Sequence, residues 1–308
     1  MEPFMKPVTL SSQKPDLKCS QISYGVWRLA DQPDECFPKH VQEKIETCLE
    51  LGMTTMDHAD IYGNYSCEEL FGKTLVESPA LRSKIQIITK AGIKLISPKR
   101  PEHKIKSYDT SRQHLTESLE RSLKNLATDH VDLFLIHRPD PFMDPEETGR
   151  TLDELVSSGK TKAVGVSNFL PHQCENLQAH MKEPLVTNQV ELSLLQMNPL
   201  HDGTVDHCQK QKMSPMAWSP LGGGQLFAKD QPTAARIHEA LSQLGERYDA
   251  SVPQMALAWL LAHPAKIIPV IGTNKLNRIK ELCQATSINL SRQDWFELWQ
   301  AAAGQEVP

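Results

Sequence analysis

The sequence predicts an α/β fold, a (β/α)8 TIM barrel with additional helices, and three observations predict it. Short runs of apolar and β-branched residues alternate with longer amphipathic stretches along all 308 residues. Eight such runs occur, nearly all apolar throughout, as strands buried on both faces should be. No Pro-, Gly- or Ser-rich linker divides the chain, so residues 1–308 are read as a single domain.

The eight strand candidates are Ile22–Gly25, Thr54–His58, Ile85–Lys90, Val131–His137, Ala163–Ser167, Thr187–Val190, Ser214–Trp218 and Ile267–Ile271. Helix candidates lie between them. Lys39–Leu51 carries Val41, Ile45, Cys48 and Leu49 at helical spacing and stops at Gly52. Ser66–Glu77 opens with Ser66 and Glu69 at capping-box spacing. Ser111–Leu126 sets Leu115, Leu119, Leu123 and Leu126 on one stripe, and Thr148–Ser158 ends at Gly159. Pro171–Met181, Pro199–Lys212, Thr233–Tyr248 and Asn274–Gln284 complete the repeat. Two helices exceed it: Val252–Leu261 before the last strand and Arg292–Ala302 after the last repeat. A doubly wound sheet is the competing arrangement, but no G-x-G-x-x-G follows an early strand. The Ala91–Asp109 connection is long for a βα loop and reads as a binding loop or lid.

Composition narrows the function. Apolar residues make up 39%, charged residues 23%, and the net charge is −5. Nucleic-acid and membrane surfaces call for a concentrated basic patch, and the one basic run, Lys94 to Lys106, reads as a solvated loop. Seven cysteines, an odd number at irregular spacing with no C-x-x-C, argue against a disulfide framework or a zinc knuckle and for reduced thiols in the cytoplasm. Met1–Lys18 is polar and lacks the apolar core of a signal peptide, and no apolar run is long enough to span a membrane. The expected partner is a small molecule, and the expected state is a monomer.

In such barrels the chemistry gathers where strands end on the C-terminal face. Strand two ends at Asp57 and His58 and runs on to Tyr62; strand three ends at Lys90; strand four ends at His137. An acid, a phenol, an amine and an imidazole therefore converge on one rim, each the polar exception in an apolar strand. They suit proton transfer to a carbonyl oxygen as hydride reaches the carbon. A free tyrosine has a pKa of about 10, and a neighbouring ammonium lowers it. Lys90 supplies that charge, Asp57 orients Lys90, and His137 hydrogen-bonds the substrate oxygen. Asp57, Asp60, His58 and His137 could instead imitate a metallohydrolase. The H-x-H pair usual on strand one is replaced here by Ile22-Ser23-Tyr24-Gly25, so no metal site is assigned.

Asp57-His58-Ala59-Asp60-Ile61-Tyr62-Gly63 resembles the aldo-keto reductase signature around its aspartate and tyrosine. Lys90 and His137 look like that family's lysine and histidine, and the resemblance is closest to bacterial members. Further motifs follow in order. Gly165-Val166-Ser167-Asn168-Phe169 and Asn188-Gln189-Val190-Glu191 are similar to segments whose serine, asparagine and glutamine bind the nicotinamide carboxamide. Trp218-Ser219-Pro220-Leu221-Gly222 resembles the segment that stacks on nicotinamide and covers the pyrophosphate. Gly272-Thr273-Asn274, continuing through Lys275 and Arg278 to Glu281, resembles the segment that holds the adenosine phosphate. Gly25-Val26-Trp27 and Asp57 complete the implied cofactor contacts. The resemblance spans roughly Tyr24 to Cys283 and implies NADP(H)-dependent reduction of an aldehyde or ketone by Asp57, Tyr62, Lys90 and His137. Two positions depart from the pattern: His58 stands where many members have threonine, and Leu282 where many have asparagine. The other class to weigh is a nucleotide-sensing binding protein on the same fold, which would bind the cofactor without turnover.

Overall fold

The computed structural model describes residues 5–307 apart from 33, 35 and 229. It begins with an element the sequence reading did not assign, the antiparallel hairpin β1 (Pro7–Ser11) and β2 (Lys14–Ser20). Leu10, Leu17 and Cys19 turn inward while Lys14, Asp16 and Lys18 face water. That period-two alternation is a half-buried ladder. The hairpin joins the barrel floor through Ser214 N, which donates to Leu10 O at 2.8 Å. Its inward residues pack with Ile88, Leu133, Leu135, Val186, Met216 and Ile268, so it plugs the N-terminal end of the barrel.

Eight parallel strands form a closed barrel: β3 (Ser23–Gly25), β4 (Thr55–Asp57), β5 (Gln86–Ala91), β8 (Leu133–Ile136), β9 (Val164–Ser167), β10 (Leu185–Glu191), β11 (Met216–Trp218) and β12 (Ile268–Ile271). Their order around the barrel follows the chain, and β12 closes on β3 through Val270–Ser23 and Ile271–Tyr24. The remaining strands, β6 (Ile93–Lys94) and β7 (Ser107–Tyr108), pair antiparallel at the base of the long loop after β5. All eight expected barrel strands are present.

Helices surround the barrel: α1 (Pro38–Glu50), α2 (Tyr62–Tyr65), α3 (Cys67–Glu77), α4 (Arg112–Asn125), α5 (Pro145–Ser157), α6 (Pro171–Gln178), α7 (Thr204–Lys210), α8 (Pro232–Tyr248), α9 (Val252–Leu261), α10 (Leu276–Cys283) and α11 (Arg292–Ala303). The expected apolar stripes face inward, with Leu115, Leu119 and Leu123 of α4 all buried. The two extra helices dock through Trp259 of α9 and Trp295 of α11. Their rings stack at 5.1 Å, and each indole N–H donates to the other residue's carbonyl, at 3.2 and 2.9 Å.

Most elements differ from the sequence reading by a few residues at their ends, and three differences have a clear local cause. Helix α5 starts three residues earlier, because Asp144 caps it by accepting from the Glu146 and Glu147 amides and Pro145 fills the first turn. The stretch 199–212 breaks at Gly203, whose φ of +84° only glycine adopts readily, leaving a short 3-10 turn before α7. At α3 the expected capping box does not form. Ser66 Oγ bonds the Gly63 carbonyl instead, and Glu69 pairs with Lys73 at 2.9 Å.

Candidate active site

Strands β4, β5 and β8 deliver Asp57, Lys90 and His137 to the C-terminal rim, and Tyr62 follows from the turn after β4. The backbone there is tied across strands: Val26 N to Asp57 O at 3.0 Å, His58 N to Ile88 O at 2.8 Å, Asp60 N to Lys90 O at 3.0 Å and His137 N to Ala91 O at 2.8 Å. Tyr62 is aimed by a kink. Gly63, Asn64 and Tyr65 all have positive φ, at 57°, 54° and 65°. At Gly63 a Cβ would lie 2.6 Å from Cys67 Sγ, so both backbone and space call for glycine. The strain at Tyr65 is held from outside: its hydroxyl accepts from Leu95 N at 2.9 Å and its carbonyl from Lys99 Nζ at 3.0 Å. The kink and the long loop after β5 thereby brace each other.

Lys90 is the hub. Its Nζ donates to Asp57 Oδ2 at 2.8 Å and Oδ1 at 2.9 Å, to the His58 carbonyl at 2.7 Å and lies 3.2 Å from Tyr62 Oη. Lys90 is fully buried and Asp57 nearly so. Burial disfavours the ammonium, but Asp57 and Tyr62 outweigh it and hold the Lys90 pKa above its ordinary value. The Tyr62 ring stands edge-on to His137, centroids 5.9 Å apart. Burial pushes the Tyr62 phenol up, while Lys90 pulls it down by less. The phenol is therefore raised rather than lowered as the sequence suggests, because loss of water around it outweighs the neighbouring ammonium. His137 is driven well below its ordinary pKa by burial, then by Lys90 and Arg138, so its imidazole is neutral at pH 7. His58 is also neutral, lowered to about 3 by burial and by Lys90. Its ring nitrogens make no hydrogen bond, and it packs edge-on to Phe71 at 4.5 Å. It serves the cluster through its backbone carbonyl.

The residues expected at the carboxamide connect to this cluster in a chain of bonds. Gln189 Nε2 donates to Asp57 Oδ1 at 2.8 Å, and Ser167 Oγ donates to the Gln189 carbonyl at 2.7 Å. Asn168 Nδ2 donates to Ser167 Oγ at 2.8 Å, and Trp218 Nε1 donates to Asn168 Oδ1 at 3.0 Å. After β11, Ser219 to Gly222 turn sharply with Pro220 buried, and Gly222 has φ of +59°. Gly25 and Val26 are buried, whereas Trp27 is 57% exposed on the rim. Arg28 Nη2 donates to the Gly223 carbonyl at 3.3 Å and Asn274 Nδ2 to the Arg28 carbonyl at 2.6 Å. The loop after β3 therefore links the glycine loop to the segment after β12.

That segment, Gly272 and Thr273 onward, leads into α10, with Lys275 at its N-cap position. Lys275, Leu276, Asn277, Arg278 and Glu281 line an open depression of about 580 Å³. Among the described residues the Lys275 and Arg278 side chains make no ion pair or hydrogen bond. Glu281 is engaged, its Oε1 accepting from Ser251 Oγ at 2.6 Å. Leu282 is buried against the core and turns away from the depression. Arg138 was missed by the sequence reading. Its position directly after His137, at a strand end, was the available signal. Its guanidinium lies 5.3 Å from the Trp218 ring centroid.

The barrel, together with the proteins it resembles, defines an oxidoreductase that acts on small-molecule carbonyls. Residues 21–303 match the aldo/keto reductase family, and the chain belongs to that family. It is 48% identical to the 6-dehydroglucose reductase of Agrobacterium fabrum, covering 98% of this chain and 100% of that protein. It is 42% identical to the oxidoreductase YdhF of Escherichia coli, covering 98% and 99%. A crystal structure of a thermostable aldo-keto reductase with the inhibitor epalrestat superposes with a TM-score of 0.81 at 29% identity, covering 96% of this chain and all of that one. The family generally works with a nicotinamide cofactor.

Proposed function

We propose that this protein reduces the carbonyl of an aldehyde or ketone with NADPH, with Tyr62 as the general acid. One observation carries the reading: Lys90 Nζ, itself fully buried, bridges the buried Asp57 carboxylate and the hydroxyl of the partly exposed Tyr62. The residues present fit a dinucleotide. Trp218 offers a half-exposed ring, Gly222–Gly224 a loop with left-handed backbone, and Lys275 and Arg278 two cations free to meet a phosphate. NADPH, when bound, supplies the hydride.

The chain's own groups handle the oxygen. Tyr62 Oη–H passes its proton to the carbonyl oxygen as charge develops there. Burial keeps the phenol protonated until that moment, and the Lys90 ammonium stabilises the phenolate left behind. Asp57 fixes the ammonium, and neutral His137 donates one N–H to the same oxygen. Ser167, Asn168 and Gln189 are assigned to the carboxamide, and Gly25, Val26, Trp27 and Ser219 to Gly222 to the body of the cofactor. Lys275, Arg278 and the Gly272–Asn274 turn are assigned to the 2′-phosphate end, with Glu281 beside them. The seven cysteines are all free thiols, in keeping with an enzyme of the reducing cytoplasm. The relative from Agrobacterium fabrum carries a sugar-type substrate in its name, so hydroxylated aldehydes belong in any panel. Following absorbance at the nicotinamide band with NADPH and a panel of aldehydes and ketones tests the reading. Turnover supports it; tight NADPH binding with no turnover on any carbonyl would assign a nucleotide sensor instead.

A further inference from the structure

Two charged side chains at the mouth of the site remain outside that account. Arg138 follows His137 at the end of β8, and Glu191 ends β10. Both are partly exposed. Among the described residues neither makes a hydrogen bond or an ion pair. Arg138 is held by an aromatic face instead, its guanidinium 5.3 Å from the Trp218 ring centroid. That contact leaves its N–H donors available in the plane of the group.

Glu191 lies two residues beyond Gln189 on β10, and side chains two apart on a strand share a face. Gln189 turns to Asp57, so Glu191 turns to the same interior, one level nearer the mouth. Its Cα pairs with that of Trp218, the residue that carries Arg138 on its ring. Trp218 in turn bonds Asn168, whose Nδ2 reaches the His137 carbonyl at 3.4 Å. A cation and a carboxylate, neither with a hydrogen bond or ion pair among the described residues, thus lie at the Trp218 position beside His137. Burial raises the Glu191 pKa and Arg138 opposes that rise, in keeping with the two groups facing one another.

Resting on the reductase reading above, we propose that Arg138 and Glu191 select a polyhydroxylated aldehyde, Arg138 donating to and Glu191 accepting from hydroxyl groups next to the reacting carbonyl. A hydroxyl is both donor and acceptor, so vicinal hydroxyls can satisfy the two side chains together. An apolar substrate would leave two charged groups at the mouth desolvated and unpaired. An anionic substrate would gain Arg138 but meet repulsion from Glu191.

The test compares three aldehydes of similar size with NADPH: glyceraldehyde, propanal and glyoxylate. Each is measured with wild type, Arg138→Met and Glu191→Gln. The wild type should favour glyceraldehyde over propanal. Loss of one charge-assisted bond should cut that kcat/KM ratio by about tenfold to a hundredfold in Arg138→Met, and measurably in Glu191→Gln. Equal losses on glyceraldehyde and propanal overturn the proposal, as does a wild-type preference for glyoxylate abolished by Arg138→Met. A rise in the NADPH dissociation constant with an unchanged ratio also overturns it, because Arg138 would then serve the cofactor. Failure of wild type to reduce any of the three sinks the reductase reading instead, so the two failures are told apart.

Discussion

Lys90 Nζ sits 2.8 Å from Asp57 Oδ2 with both side chains out of contact with water. A buried ion pair is a weak source of stability, but breaking one from either side is costly, about 3–5 kcal/mol, because a charge is left buried alone. Its value here lies in position: the same ammonium reaches Tyr62 Oη at 3.2 Å.

Lys90→Met should therefore lose most carbonyl reduction, since Tyr62 keeps its burial and loses the charge that offsets it. Asp57→Asn should be milder, because Lys90 remains. Tyr62 and Lys90 act as one unit, so Tyr62→Phe/Lys90→Met should cost far less in kcat/KM than the sum of the single losses. Strictly additive losses would mean that the two side chains work independently. Thermal melts of each variant separate catalytic loss from unfolding.

The pH dependence follows from the direction of each shift. Reduction needs a protonated Tyr62, whose pKa is raised, so kcat/KM for reduction should fall only above the ordinary tyrosine value of about 10. Alcohol oxidation needs the phenolate and should rise with pH over the same range. His137 is lowered well below the ordinary histidine value, so neither direction should show a break near about 6.5. A histidine limb there would show that His137 works as a cation.

NADPH should be preferred to NADH. Lys275 and Arg278 are exposed and unpaired among the described residues, and no acidic residue lies in 271–279 to repel a phosphate. One charge-assisted bond of about 1.5–3 kcal/mol gives a preference of about one to two decades. Arg278→Ala or Lys275→Ala should raise the NADPH dissociation constant and barely move that of NADH. Variants that weaken both alike would remove this segment as the 2′-phosphate site.

Gly72→Ala tests the packing that carries the site. Helix propensity alone favours alanine by roughly 1 kcal/mol. The added Cβ would fall 1.9 Å from the Asn125 carbonyl oxygen at the end of α4, and that backbone cannot yield cheaply. The variant should lose about 1–3 kcal/mol, read as a lower midpoint in urea. A higher midpoint would show that α3 and α4 separate freely.

What the sequence made legible follows from periodicity and strand ends. The barrel strands announce themselves because burial on both faces leaves short, mostly apolar runs, and the ionisable groups Asp57, Lys90 and His137 stand at their ends. The β1–β2 hairpin escaped because Lys14, Asp16 and Lys18 mask an alternation only a few residues long. Helix α5 was shortened because Asp144-Pro145-Glu146-Glu147 reads as polar loop unless the cap and the first-turn acids are recognised together. Tyr62's raised pKa could not be read at all, since it depends on how far loops from distant parts of the chain exclude water. Arg138 was hidden for a related reason: only the closed barrel brings it over Trp218, 80 positions away in the sequence.

Tyr62→Phe tests the central claim most directly. The substitution removes one oxygen and leaves the ring, the Lys90–Asp57 pair and the cofactor segments in place. Measured on the aldehyde best turned over by wild type, it should lower kcat by about 10²–10⁴, the usual worth of a positioned general acid. The NADPH dissociation constant should stay within about threefold, less than the tenfold that each 1.4 kcal/mol represents. Near wild-type turnover in Tyr62→Phe would contradict the account, because some group other than this phenol would then be protonating the carbonyl oxygen.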